Sequence, residues 1–354
     1  MSLLDDTIAS IEPPDADAAR GAGARLDALT KPPGSLGYLE EIVRRYAAIR
    51  HDPAARAGRG AITLFAGDHG IAAAGVSAYP QAVTVEMLRN IGAGGAAISV
   101  LARRMGFDLI VTDVGVAADT SAAPMTGVRY RRVGAGTRNF LEGPAMSLVQ
   151  ARSAIEVGIE TAREASANGA TLIGIGEMGI ANSTPAAAIL AALSGVAPAR
   201  LAGRGTGVDD RGLGRKIAAI EAGLKIHRAS FGHGVNLIAA IGGFEIAAMT
   251  GVCLGAAAAR VPVVVDGFIA TAAAAAAEKL RPGLREQMFF AHRSAEGGHA
   301  LALEALGARA ILDLEMRLGE GSGAALAMGV IQAALALFHE MATFASAGVS
   351  GKIE

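Results

Sequence analysis

Cysteine is almost missing from this chain: Cys253 stands alone among 354 residues. One thiol builds neither a disulfide framework nor a cysteine metal site, and such usage fits a reducing, cytoplasmic setting. Tryptophan is absent and aromatic residues reach only 4%, so the core must be assembled mainly from Ala, Val, Leu and Ile. Lysine is scarce too, with five residues (31, 216, 225, 279 and 352) against 27 arginines. Neither sign of charge dominates, since 32 basic and 33 acidic residues are interspersed. No basic stripe is available to follow a nucleic-acid backbone. The first fifteen residues carry acids where a secretory leader would carry bases. The longest apolar run, Ala324 to Phe338, is shorter than a membrane span and contains Gly329 and Gln332. Neither nucleic acid nor membrane is expected as a partner.

What the chain has in excess is glycine, 47 residues, nearly twice ordinary usage. These glycines punctuate apolar runs, as tight loops that approach a ligand require. After a region of short helices broken at KPPGSLG (31–37), a pattern of strand, polar or Gly residue, and Ala-rich helix recurs. Five such units are read: 61–70, 107–116, 170–179, 261–277 and 308–329. Strands that are apolar throughout, separated by helices, predict an α/β fold with a doubly wound, Rossmann-like parallel sheet. The expected division is a large α/β unit over 56–323 and a small helical domain from 1–55 plus 324–354. In such sheets the ligand lies beyond the carboxyl ends of the strands. That is where Asp68, His69, Asp113 and Asp266 fall in the sequence.

GIGEMG (174–179) matches the dinucleotide-binding pattern literally. That pattern also needs an acid about twenty residues on, to hold a ribose. The next acid is Asp209, and Glu177 would oppose a pyrophosphate. A cradle for a single phosphate or sugar fits better. GRGTGVDDRGLGRK (203–216) ends in Lys216, a point charge suited to phosphate or else an ordinary solvated helix-start lysine. Asp266 in VVVDGF either accepts ribose hydroxyls or caps a helix. His292, Glu296 and His299 have roughly helical spacing, but Gly297 and Gly298 interrupt it and HExxH is absent, so no metal is expected. Arg293 and Ser294 are the better ligand contacts there. In RLGEGSGAA (317–325), Glu320 stands between glycines where partial desolvation would raise its pKa toward that of a general base. The alternative is an ordinary first-turn glutamate. Ser77, Tyr79, Met87 and Leu88 can wall an aromatic base or belong to the core.

Taken together, LTKPPGSLGYLE, FAGDHGI, GVSAYPQAVT, GIGEMGIANST, GRGTGVDD, GGFEIAAM, VVVDGFI, AHRSAEGGH and RLGEGSGAALAM resemble the nicotinate-nucleotide:dimethylbenzimidazole phosphoribosyltransferase family, in its order and over nearly the whole chain. The resemblance implies a cytoplasmic homodimeric enzyme of cobalamin biosynthesis that needs no cofactor. It implies transfer of ribose 5-phosphate from nicotinate mononucleotide to 5,6-dimethylbenzimidazole, with inversion. It makes Glu320 the catalytic base and sets Glu177, Gly179, Asn182, Lys216, Asp266 and Ser294 about the ribose phosphate. Ser77, Tyr79, Met87 and Leu318 would line the base pocket. Four positions depart from the common pattern: Ala181 and Ser183 stand for Gly and Thr, Gly297 for Pro, and Ser322 for Thr. An NAD-dependent oxidoreductase and a non-catalytic nucleotide sensor are the rival readings. A pyrophosphate-dependent phosphoribosyltransferase would show paired acids before a Thr/Gly-rich loop, which VTDVGV lacks.

Overall fold

A computed structural model describes residues 2–120 and 124–350. Seven strands form one sheet: β1 (Arg59–Gly67), β2 (Asp108–Gly115), β3 (Val128–Tyr130), β4 (Ala170–Met178), β5 (Val263–Val265), β6 (Met288–His292) and β7 (Ala310–Leu312). Their order is β3-β2-β1-β4-β5-β6-β7, and every neighbouring pair is parallel. The five strands expected from the sequence are present. β3 and β6 are additional, and AHRSAEGGH begins inside β6.

Alternate side chains feed two hydrophobic clusters, one per face. In β1, Ala61 and Phe65 join the first cluster, while Ile62, Leu64 and Ala66 join the second. This double burial explains why the strands read as continuous apolar runs. The first face is covered by helices Leu148–Ala167, Ser183–Ser194, Phe244–Ala258 and Phe268–Leu280. Helix 244–258 lies close against helix 148–167 because Gly255 replaces a side chain. A Cβ there would come within 2.9 Å of Ile159 backbone atoms.

The second face carries helices Ala16–Ala28, Tyr38–Arg50, Ala97–Met105 and Ser322–Glu340. The chain ends meet here. Leu29 bridges to Thr343, and Arg25 donates to the carbonyls of Phe338 and His339. The same cluster continues into the sheet through Ile62, Leu172 and Phe289. The first helix, Leu3–Ser10, packs instead on the opposite layer against helices 148–167 and 244–258. Helix 322–340 is longer than the apolar run suggests, and by length and composition its 19 residues would cross a membrane. More than half of it is buried against the protein, as a core helix must be.

Between β1 and β4 the chain's direction of travel across the sheet reverses: β2 and β3 build to one side, β5 to β7 to the other. At such a reversal the connections leave in opposite directions and open a crevice at the strands' carboxyl ends.

Candidate active site

That crevice is a cavity of about 460 Å³. Ten of the eleven residues expected at the site line it: Glu320, Glu177, Gly179, Asn182, Asp266, Ser294, Ser77, Tyr79, Met87 and Leu318. Lys216 does not. It lies inside helix Asp210–Ile226 rather than in a loop, because Asp209 caps the helix by accepting from Gly212 N–H at 2.7 Å. Nor is it solvated: it is 1% exposed. Its ammonium donates to Ser183 Oγ and to the Gly203 carbonyl, both at 3.0 Å. Burial lowers its pKa, while Glu296 works the other way. Lys216 thus stands behind the start of helix 183–194 and the loop that carries Gly205 and Thr206 in the cavity wall. Leu88 is fully buried core, and Arg293 faces outward to pair with Asp313 at 2.5 Å.

The GIGEMG segment is not a loop. β4 runs through Met178, and its glycines serve packing. A Cβ on Gly176 would meet the Glu320 carbonyl oxygen at 2.5 Å, and one on Gly174 would meet Ile62 Cδ1 at 2.6 Å. These glycines let the 319–321 turn and helix 322–340 lie directly on β4. The turn itself is left-handed at three successive residues, Gly319 (φ 85°), Glu320 (φ 62°) and Gly321 (φ 85°). Glutamate is disfavoured in that conformation, so the surroundings must hold it.

Asp266, just past β5, supplies much of that hold. Its Oδ2 accepts from Gly321 N–H at 3.2 Å and its Oδ1 from Ala324 N–H at 2.9 Å. It therefore caps the distant helix 322–340, not its own. Burial raises its pKa to about 7 despite these bonds. Glu320 is 4% exposed and its pKa is also raised by burial, opposed by the Ile98 N–H. Glu177, beneath the turn, accepts from Asn182 Nδ2. Burial and the carboxylates of Glu245 and Asp266 push its pKa up to about 8. A shift in this direction favours the neutral acid, which can donate a hydrogen bond.

The His292, Glu296, His299 trio resolves into three jobs on a strand, a loop and a helix. His299 Nδ1 accepts from Ser294 N–H at 2.8 Å, and its Nε2 faces Thr271 Oγ1 at 2.9 Å. Burial lowers the His299 pKa to about 3, so the ring is neutral with its proton directed at Thr271. Glu296 accepts from Gly205 N–H at 2.8 Å, tying the 203–207 loop to the site. His292 lines the cavity. Among the described residues no group of three or more His, Cys, Asp or Glu has a metal-holding arrangement. Asp113 is taken up locally by Gly115 N–H, Val116 N–H, Thr120 and Arg132.

Residues 11–349 match a family model described as phosphoribosyltransferase. A nicotinate-nucleotide–dimethylbenzimidazole phosphoribosyltransferase of Chloroflexus aggregans is 51% identical over all of both chains. One from Geobacter sp. (strain M21) is 49% identical over 99% of this chain and 100% of its own. A crystal structure of CobT from Thermus thermophilus superposes with a TM-score of 0.90 at 46% identity, covering 94% of this chain and 99% of that one. The chain belongs to the nicotinate-nucleotide–dimethylbenzimidazole phosphoribosyltransferase family.

Within this phosphoribosyltransferase the departures noted above have physical content. Ala181 sits at φ 75°, which explains why glycine suits that position. Ser183 and Ser322 keep the hydroxyl in use, one accepting from Lys216 and the other donating to the Gly319 carbonyl at 2.7 Å. Gly297 has open space where a larger residue would fit. Sequence reading placed His69 at a strand end but missed its partner Glu245, with which it forms a fully buried pair at 2.8 Å. Burial works against a charged His69, but Glu245 outweighs it and raises the pKa. It missed Thr206 as well, whose hydroxyl meets Ser77 Oγ and accepts from Ala78 N–H at the cavity rim. GGFEIAAM carried Glu245 in plain view, an acid inside an apolar helix.

Proposed function

We propose that this enzyme transfers ribose 5-phosphate from nicotinate mononucleotide to 5,6-dimethylbenzimidazole, giving α-ribazole 5′-phosphate and nicotinate. The observation that carries the assignment of its base is Glu320. It is a buried carboxylate with a raised pKa, held in a left-handed turn at the wall of the switch-point cavity.

The donor's pyridinium already bears positive charge, so its nitrogen leaves with the electron pair of the C1′–N bond and needs no proton. One nitrogen of the benzimidazole attacks C1′ from the opposite face, which inverts the centre. The proton on its other nitrogen passes to Glu320. Asp266 positions that carboxylate through the turn it caps, and Glu177 donates toward the ribose as a neutral acid. Gly179, Asn182 and Ser294 surround the ribose phosphate, with Lys216 supplying positive charge from behind Ser183 and Gly203. Ser77, Tyr79, Met87 and Leu318 form the base pocket. None of these steps draws on a cofactor. The reading includes a cytoplasmic homodimer. Sedimentation equilibrium at micromolar concentration should give twice the 35.5 kDa chain mass; a monomer would refute the assembly.

The test of the reaction is chromatography with mass detection after incubation with both substrates, where nicotinate and an α-linked riboside phosphate should appear together. Glu320→Gln should bind both substrates yet lose about 10²–10⁴-fold in turnover. Near wild-type turnover would remove Glu320 from its role.

A further inference from the structure

Behind the cavity lining lies a charge pair that the transfer proposed above leaves without a task. His69 and Glu245 are each no more than 1% exposed, and a buried ion pair is a weak source of stability. His69 Nε2 meets Glu245 Oε1 at 2.8 Å, whereas Glu245 Oε2 has no partner among the described residues. A Cβ on Gly179 would stand 3.3 Å from His69 Nε2 and 3.5 Å from Asn182 Nδ2, and one on Gly67 would stand 2.9 Å from Glu245 Oε2. Gly179 and Asn182 both line the cavity, and Asn182 bonds Glu177. Glu177 pairs with Phe65 in the β1–β4 register, and side chains at paired positions share a face of the sheet. Phe65 feeds the cluster covered by helix 244–258, so Glu177 and Glu245 stand on the same face.

We propose that Glu245 is a positioning residue of the transfer: its negative charge, fixed by His69, keeps the proton on Glu177 and so makes Glu177 a hydrogen-bond donor to the ribose. This rests on the reaction and on the role of Glu177 proposed above. Two carboxylates in one dry layer resist ionising together. His69 settles which of them gives way, because it supplies a counter-charge to Glu245, while Glu177 receives only the amide of Asn182. Burial first, then Glu245 and Asp266, push Glu177 up to about 8; Asn182 opposes them and Glu320 adds to them. At the other end of the cluster, burial opposes a charged His69 but Glu245 and Asp68 favour it. Glu245 thus acts on the cavity through Glu177 without lining it.

The measurement is the pH profile of kcat/KM for nicotinate mononucleotide, with 5,6-dimethylbenzimidazole saturating. A required neutral acid makes this quantity fall as pH rises through its pKa in the free enzyme, so the wild type should lose activity near pH 8. Glu177→Gln cannot ionise and should lack that alkaline limb. Glu245→Gln keeps an oxygen for His69 but no charge, and should move the limb down by about one pH unit. The double variant His69→Gln/Glu245→Gln retains a side-chain bond without charge and should move it the same way, which reads the charge even if the single variant fails to fold. A uniform loss of rate with the limb unmoved would make the pair a structural element only, and an unchanged profile would give it no part; each overturns the inference. A limb that survives in Glu177→Gln would overturn the donor role of Glu177, and the inference with it. Absence of any transfer by the wild type would instead overturn the proposed reaction.

Discussion

Glu320 combines two conditions that a glutamate rarely meets together, burial and a left-handed backbone. Each has a cost, of the order of 1–3 kcal/mol for the backbone alone, and neither persists without support. The support comes from Asp266, whose two oxygens gather backbone N–H groups at Gly321 and Ala324. Flanking glycines remove the same strain at 319 and 321. The motif RLGEGSG therefore encodes a shape as much as a carboxylate. Asp266 shows the limit of reading residues singly. Sequence offered ribose binding or a cap on its own helix, and the structure shows a cap on a helix 56 residues further along. Lys216 makes the same point, since the charge is legible but its placement behind Ser183 is set by a helix start at Asp209.

At the level of elements, β4 and the 319–321 turn form one unit, because Gly176 lets the Glu320 backbone rest on the strand. Gly176→Ala would drive a Cβ to 2.5 Å from the Glu320 carbonyl oxygen and 2.6 Å from its carbon, so the turn must move. A displacement near 1 Å at a reacting group costs about 10²-fold in rate, and overpacking of this kind about 1–3 kcal/mol in stability. The expected result is a fall in kcat of that order with a smaller change in donor KM, measured beside urea unfolding. Wild-type kcat would show that the strand does not position the turn. GIGEMG was visible in the sequence, but its spacing matched a phosphate loop equally well. Only the strand's extent to Met178 and the turn lying on it decide between the two. The apolar runs that became β1, β2, β4, β5 and β7 were legible, although β5 and β7 hold only three strand residues each. β3, with its three residues at the sheet edge, gave no comparable signal. β6 was masked by the histidines at its end.

Across the whole molecule, the alternation of strand and helix made a parallel sheet legible, and the structure bears the sheet out. The reversal between β1 and β4 is a matter of strand order, which no local pattern encodes. The same holds for His69 and Glu245, which pair across 176 residues. What the sheet gathers at its carboxyl edge is a cluster of buried acids, and their charge links global stability to pH. Burial, reinforced by neighbouring carboxylates, raises Glu177 from 4.5 to about 8 and Asp266 from 3.8 to about 7. In the unfolded chain both groups lose their protons near the ordinary values. Between those values and the raised ones the folded state binds more protons than the unfolded state, so stability falls as pH rises. Their contribution is thus greatest below about pH 4 and is lost progressively up to about pH 8. Other groups add their own slopes, which makes the difference between two proteins the better measure. Glu177→Gln keeps an oxygen to accept from Asn182 but cannot ionise. Urea midpoints from pH 5 to 8 should therefore decline less steeply in the variant than in the wild type, with the gap between them widening toward pH 8. Parallel curves across that window would mean that Glu177 is ionised in the folded enzyme, and its role as a hydrogen-bond donor to the ribose would fall with it.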